Sequence, residues 1–103
     1  MESFDNINIE KKANVYYDGK VTSRSIEFKD GTKKSLGIMQ IGEYRFTTAS
    51  AEIMEIMSGS IEVKIANEKE FVKLNAPCEF EVPADSYFDI KVKSLTDYIC
   101  SYA

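Results

Sequence analysis

The chain contains no histidine and no tryptophan in its 103 residues. Without imidazole, the commonest general base and metal ligand of small enzymes is missing, and a metal centre built on histidine is excluded. Cysteine occurs only twice, at Cys78 and Cys100, in a spacing that matches no zinc pattern. Two cysteines do not make a disulfide scaffold and read as buried thiols, with one disulfide as the formal alternative. Two prolines and five glycines exclude a collagen-like or low-complexity chain. No stretch approaches the roughly 18 apolar residues that span a membrane. Residues 1–17 hold no apolar run long enough for a signal peptide, so a cytoplasmic location is expected. A basic surplus is also missing. Thirteen Lys and Arg against seventeen Asp and Glu give a net charge of −4, which speaks against a general nucleic-acid binder. A local cationic pocket for one phosphate stays compatible with that balance.

What remains is β in character. The length points to one domain, small enough to leave surface for self-association. Residues 1–13 are polar and without a period, and read as an N-terminal arm; residues 14–103 form the domain. Val15 to Tyr17 reads as a short strand ended by Asp18-Gly19, a hairpin signal. Lys20 to Phe28 alternates up to a second turn at Asp30-Gly31, and Lys34 to Ile41 follows. Gly42-Glu43 reads as a further turn before Tyr44 to Thr48. Ala51 to Met57 has helical propensity, but it is short and runs through Ser58-Gly59 into the β-rich Ile61 to Ile65, so a strand is expected. Glu70 to Leu74, Cys78 to Val82, Phe88 to Val92 and Thr96 to Tyr102 complete the set. Short strands at close spacing joined by turns indicate an all-β sandwich or barrel, and a closed barrel is expected.

Two stretches carry more than a period. Residues 42–59 resemble the first cupin motif, because Glu52 and Gly59 keep the spacing of its glutamate and final glycine. Residues 77–88 resemble the second, with Pro83-Ala84-Asp85 in the place of Pro-x-Gly. The resemblance implies a single-domain cupin-type barrel, a double-stranded β-helix or jelly roll. Thr48, Ser50 and Phe88 fall where cupins place metal-binding histidines, and Glu52 alone would remain. One carboxylate does not hold a transition metal tightly, so no metal is expected.

Residues 14–102 also resemble a narrower group. The runs Tyr17-Asp18-Gly19-Lys20-Val21 and Gly42-Glu43-Tyr44-x-Phe46, with the ending Tyr98-x-Cys100-x-Tyr102, are similar to the pyrimidine/purine nucleoside phosphorylase family of small cupin-like proteins. That resemblance implies phosphorolysis: nucleoside plus inorganic phosphate gives free base plus pentose 1-phosphate, with broad tolerance of the base. Nucleosides and phosphate would be the partners, with phosphate as co-substrate and no other cofactor. A homodimer is expected. The rivals are a non-catalytic nucleoside- or sugar-binding barrel, an interaction module with an exposed edge strand, and, last, a metal-dependent cupin enzyme.

The chemistry nominates residues. Breaking the bond from C1′ to the base nitrogen gathers positive charge on the sugar and negative charge on the base. Glu52 is the candidate catalytic group, placed to bind ribose hydroxyls or stabilise the cationic sugar. Tyr44, Phe46 and Thr48 share a face by period-2 alternation. With Phe88 and Tyr98 they are candidates to bind substrate by stacking and hydrogen bonding, while plain core packing is the alternative for the aromatic residues. Lys20 and Arg24, on one face of a strand, are the candidates for phosphate. Arg45 has the opposite parity to Tyr44 and Phe46 and should point outward. Tyr98, Cys100 and Tyr102 share one face of the last strand, where pocket, core and dimer interface are all open. Cys100 has no histidine to activate it as a nucleophile.

Overall fold

A computed structural model describes residues 2–103. Eleven strands and one 3-10 turn are present among the described residues. In chain order the strands are β1 (Asn8–Ile9), β2 (Asn14–Tyr16), β3 (Val21–Glu27), β4 (Lys33–Met39), β5 (Gly42–Thr47), β6 (Glu52–Ser58), β7 (Ser60–Ile65), β8 (Val72–Asn75), β9 (Cys78–Val82), β10 (Tyr87–Val92) and β11 (Thr96–Tyr102). The segment from Ala51 to Met57 is a strand despite its helical composition. It has strand partners on both sides, β11 and β9, and their ladders outweigh local propensity.

Turn chemistry sets the hairpins. Asp18 and Gly19 adopt φ of 54° and 91° in the 3-10 turn Tyr17–Gly19, so β2 folds back onto β3. Tyr17 itself has φ 51° and leaves the strand that alternation assigned to it. Gly31, at φ 88°, turns β3 into β4, and the Asp30 carboxylate accepts the Thr32 N–H at 2.9 Å. Gly59, at φ 112°, carries the chain from β6 to β7, where an added Cβ would meet Thr96. Gly42-Glu43, expected as a turn, instead opens β5, and the chain reverses one residue earlier.

The strands form two sheets. The larger has seven strands in the order β1-β3-β4-β11-β6-β9, with β2 also on β3; the smaller runs β5-β10-β7-β8. From β4 onward the chain passes repeatedly between the sheets. No ladder joins the two sheets among the described residues. The expected closed ring is therefore two sheets closed by packing, because each sheet buries one face against the other rather than pairing edge to edge. The shared core includes Met39, Tyr44, Ile56, Ile61, Val82 and Ile90. That core is solid at the end holding the β6–β7 turn. At the opposite end, where β5 and β11 finish and β4, β6 and β10 begin, the sheets separate around a cavity.

Candidate functional site

The cavity has a volume of about 640 Å³, within the range of small-molecule sites. Its two sides differ in chemistry. One side is aromatic: Phe46 from the end of β5 and Phe88 from the start of β10 lie 5.6 Å apart between centroids. Tyr16 meets Phe46 edge-on at 6.1 Å and Tyr17 at 5.6 Å. Tyr17 is held there by its hydroxyl, which donates to the Arg45 carbonyl and accepts the Arg45 N–H. The Tyr-Asp-Gly-Lys-Val run thus contributes a tyrosine ring to the cavity.

The other side is hydroxyl-rich. Ser23 from β3, Ser35 from β4, and Tyr98, Cys100 and Tyr102 from β11 face inward. Ser35 Oγ and Tyr102 Oη are hydrogen-bonded at 2.9 Å. Tyr98 is buried and crosses its partner Gly37 on β4. A Cβ at Gly37 would lie 2.6 Å from Tyr98 Cζ, so the ring occupies the space that a side chain there would fill.

Glu52 stands at the start of β6, opposite Tyr102 on one side and Val82 on the other. It is half-buried, and desolvation holds its carboxyl above the ordinary glutamate range. The Cys100 thiol donates to Glu52 Oε1 at 3.4 Å and works against that rise. Burial, with the Glu52 carboxylate beside it, pushes the Cys100 thiol up to about 12. Cys100 therefore stays protonated near neutral pH and acts as a donor, not a nucleophile. Burial likewise pushes the Tyr102 hydroxyl up to about 12.

Glu52, Phe46, Phe88 and Tyr98 thus meet in one cavity, as does Ser50. Four other candidates lie elsewhere. Tyr44 is in the core between the sheets, and its hydroxyl donates to the Gln40 carbonyl at 2.7 Å. Thr48 is consumed by a turn: Oγ1 donates to the Pro83 carbonyl at 2.7 Å and accepts the Ser86 N–H at 3.0 Å. Lys20 is exposed and outside the cavity lining. Arg24 is exposed on the other face of its sheet, and its guanidinium donates to the Lys11 carbonyl. It has opposite parity to the inward Val21 and Ser23, which is why no phosphate contact in the cavity is open to it. Among the described lining residues Arg45 is the only cationic one, and its side chain turns to the outer face of its sheet. Its guanidinium is engaged by Asp89 at 2.7 and 3.1 Å and stacks over Tyr87 at 4.4 Å. No group of three or more His, Cys, Asp or Glu able to hold a metal ion occurs among the described residues.

Ser23 and Ser35 were not singled out from the sequence. A signal existed: each shares its strand's inward parity with a buried apolar residue, Val21 on β3 and Met39 on β4. Met39 and Met54 line the floor and carried no such mark.

Residues 11–102 match the family model described as pyrimidine/purine nucleoside phosphorylase. A protein of that name from Sulfurimonas denitrificans is 56% identical over 102 residues, covering 99% of this chain and 98% of its own. One from Syntrophotalea carbinolica is 54% identical with the same coverage. Among solved structures, a protein of unknown function from Acinetobacter sp. ADP1 superposes with a TM-score of 0.95 at 39% identity, covering 98% of both chains. A cupin from Shewanella frigidimarina, at 15% identity and TM-score 0.71 over 97% of this chain and 86% of its own, shares the fold. The fold is of the cupin type, and the chain belongs to the pyrimidine/purine nucleoside phosphorylase family.

Proposed function

We propose that this member of the family splits purine and pyrimidine nucleosides with inorganic phosphate, releasing free base and pentose 1-phosphate, in the cavity around Glu52. The observation that carries the reading is the half-buried carboxylate set between an aromatic and a hydroxyl wall. Stacking on Phe46, backed by the buried Phe88, holds any base by its face and so favours breadth over selection. Hydroxyls of Ser23, Ser35 and Tyr102 suit a ribose. A phosphate oxygen forms a bond to C1′ as the bond from C1′ to the base nitrogen breaks. The bonding pair leaves with the base, which takes up the proton that the attacking hydrogen phosphate gives up. Glu52 lies where a carboxylate offsets the positive charge gathering on the sugar. Phosphate would enter from the rim and be bound by neutral donors such as the Thr47 and Ser50 hydroxyls, since the one cation among the described lining residues, Arg45, turns outward to Asp89. The reading needs no metal.

That engaged Arg45 also favours the second reading, a barrel that binds a nucleoside without turnover. One experiment separates the two. Protein treated with a chelator is incubated with uridine, inosine, adenosine and guanosine, with and without phosphate, and free base is measured. Phosphate-dependent release is expected from all four. Saturable binding without release supports the second reading, and loss of activity on chelation overturns the metal-free mechanism.

A further inference from the structure

Alternation along a strand sends consecutive side chains to opposite faces. Tyr16 and Tyr17 depart from that rule. Tyr16 ends β2 in extended backbone, at φ −128° and ψ 152°. Tyr17, Asp18 and Gly19 then all take positive φ, at 51°, 54° and 91°. That left-handed region suits glycine and is strained for a tyrosine. The strained turn swings Tyr17 back to the side that Tyr16 already faces. Both rings therefore stand edge-on to Phe46, at interplanar angles of 88° and 84°. The 3-10 turn has no buried residue, and Tyr17 is 44% exposed, so core packing does not fix the ring.

The hydroxyl fixes it. β5 is an edge strand of the smaller sheet, with β10 as its neighbour. The N–H and C=O of Arg45 point away from β10 to the free edge, and Tyr17 Oη meets both. It accepts the N–H at 3.0 Å and donates to the carbonyl. The turn itself joins β2 to β3, both strands of the larger sheet. One phenol thus bridges the two sheets at the exposed rim of the cavity, where no ladder joins them among the described residues. We infer that Tyr17 is a positioning residue for the nucleoside: its hydroxyl latches the sheets together at the rim and so fixes the aromatic corner that holds the base. The inference rests on the catalytic reading for the identity of the ligand. The corner is the Phe46 face with the Tyr17 ring set across it, centroids 5.6 Å apart. A base stacked on Phe46 has its sliding movement stopped by that second ring. Without the hydroxyl nothing offsets the strain at Tyr17, and the turn relaxes away from β5. Apparent affinity for a nucleoside then falls with the fraction of molecules still latched. Glu52 lies on β6, outside this contact, so the chemical step is untouched.

Tyr17→Phe tests the latch, because it removes one oxygen and keeps the ring; circular dichroism checks the fold. Amide exchange at Arg45 should quicken about threefold or more. Tyr44 and Phe46, whose N–H groups face β10, should keep their wild-type rates. KM for inosine and uridine should rise about three- to tenfold with kcat within about twofold, as expected for the loss of two neutral hydrogen bonds outside the reacting centre. Equilibrium dialysis of the same nucleosides without phosphate should show an equal rise in dissociation constant. An unchanged KM and dissociation constant overturn the inference, whatever the melting temperature does. So does an Arg45 amide that exchanges at the wild-type rate, or a fall in kcat with KM unmoved. A wild type that binds nucleosides but releases no base fails the catalytic reading alone, and the dissociation constants then decide the latch.

Discussion

Replacing Gly37 by alanine isolates the contact that places Tyr98 on the cavity wall. Gly37 lies in β4 between Ser23 of β3 and Tyr98 of β11. The added methyl would sit inside contact distance of the Thr22 carbonyl oxygen and 2.6 Å from both Cζ and Oη of Tyr98. Ordinary carbon contacts are about 3.5–4.0 Å, so the ring must move by about 1 Å. Tyr98 is 6% exposed and packed except where it borders the cavity, so the displacement goes toward the cavity. Overpacking of this kind costs about 1–3 kcal/mol. For a domain of this size each kcal/mol lowers the melting temperature by about 4–8 °C, so a fall of about 10 °C is expected by calorimetry. Catalytic efficiency should fall about tenfold or more, since a shift of about 1 Å in a positioning group is costly. A double-mutant cycle assigns the cause. Tyr98→Leu removes the ring, so the double variant should be more stable than the sum of the single effects by about 1 kcal/mol. The conflict with the Thr22 carbonyl persists, so the rescue is partial. A melting temperature for Gly37→Ala within about 1 °C of wild type, or strict additivity in the cycle, would refute the reasoning.

Glu52→Gln keeps the shape and removes the charge. Loss of one electrostatic stabiliser should lower kcat about 100- to 1,000-fold with little change in melting temperature; a near-wild-type rate removes Glu52 from the mechanism. The acid limb of the pH–rate profile should lie above the ordinary glutamate range, because burial raises this carboxyl and the active form is the carboxylate. Activity is then present above that limb and lost as pH falls through it. Cys100→Ala deletes the donor that opposes the rise, so the limb should move to higher pH, whereas Cys100→Ser, which keeps a donor, should leave it near the wild-type position. A limb that is the same in all three proteins would show that Glu52 does not set it.

Much of this molecule is legible from period and turn residues. β9 and β11 fall on the segments that alternation outlines, and Asp18-Gly19, Asp30-Gly31 and Gly59 mark reversals because backbone at positive φ favours glycine. Parity alone turns Phe46 inward and Arg45 outward. Glu52 is legible through the cupin spacing, which places it at a strand start facing the interior. The misplaced candidates share one cause. Parity says which side of a sheet a residue faces, but not how far along the barrel it lies. Tyr44 and Phe46 face the same way, yet Tyr44 sits beside Ile90 in the core and Phe46 beside Phe88 at the cavity. Thr48 has inward parity too, but a turn from another part of the chain takes its hydroxyl.

The sequence by itself determined an all-β domain, its hairpins, the inward side of each strand and the lack of any histidine ligand. These depend on the chain's own period and local backbone preferences. Only the tertiary structure decided which strand ends meet. Register between distant strands brings Ser35 to Tyr102 and Cys100 to Glu52, across separations of 67 and 48 residues that no local pattern encodes. The same register leaves Arg24 on the far side of the larger sheet from the cavity.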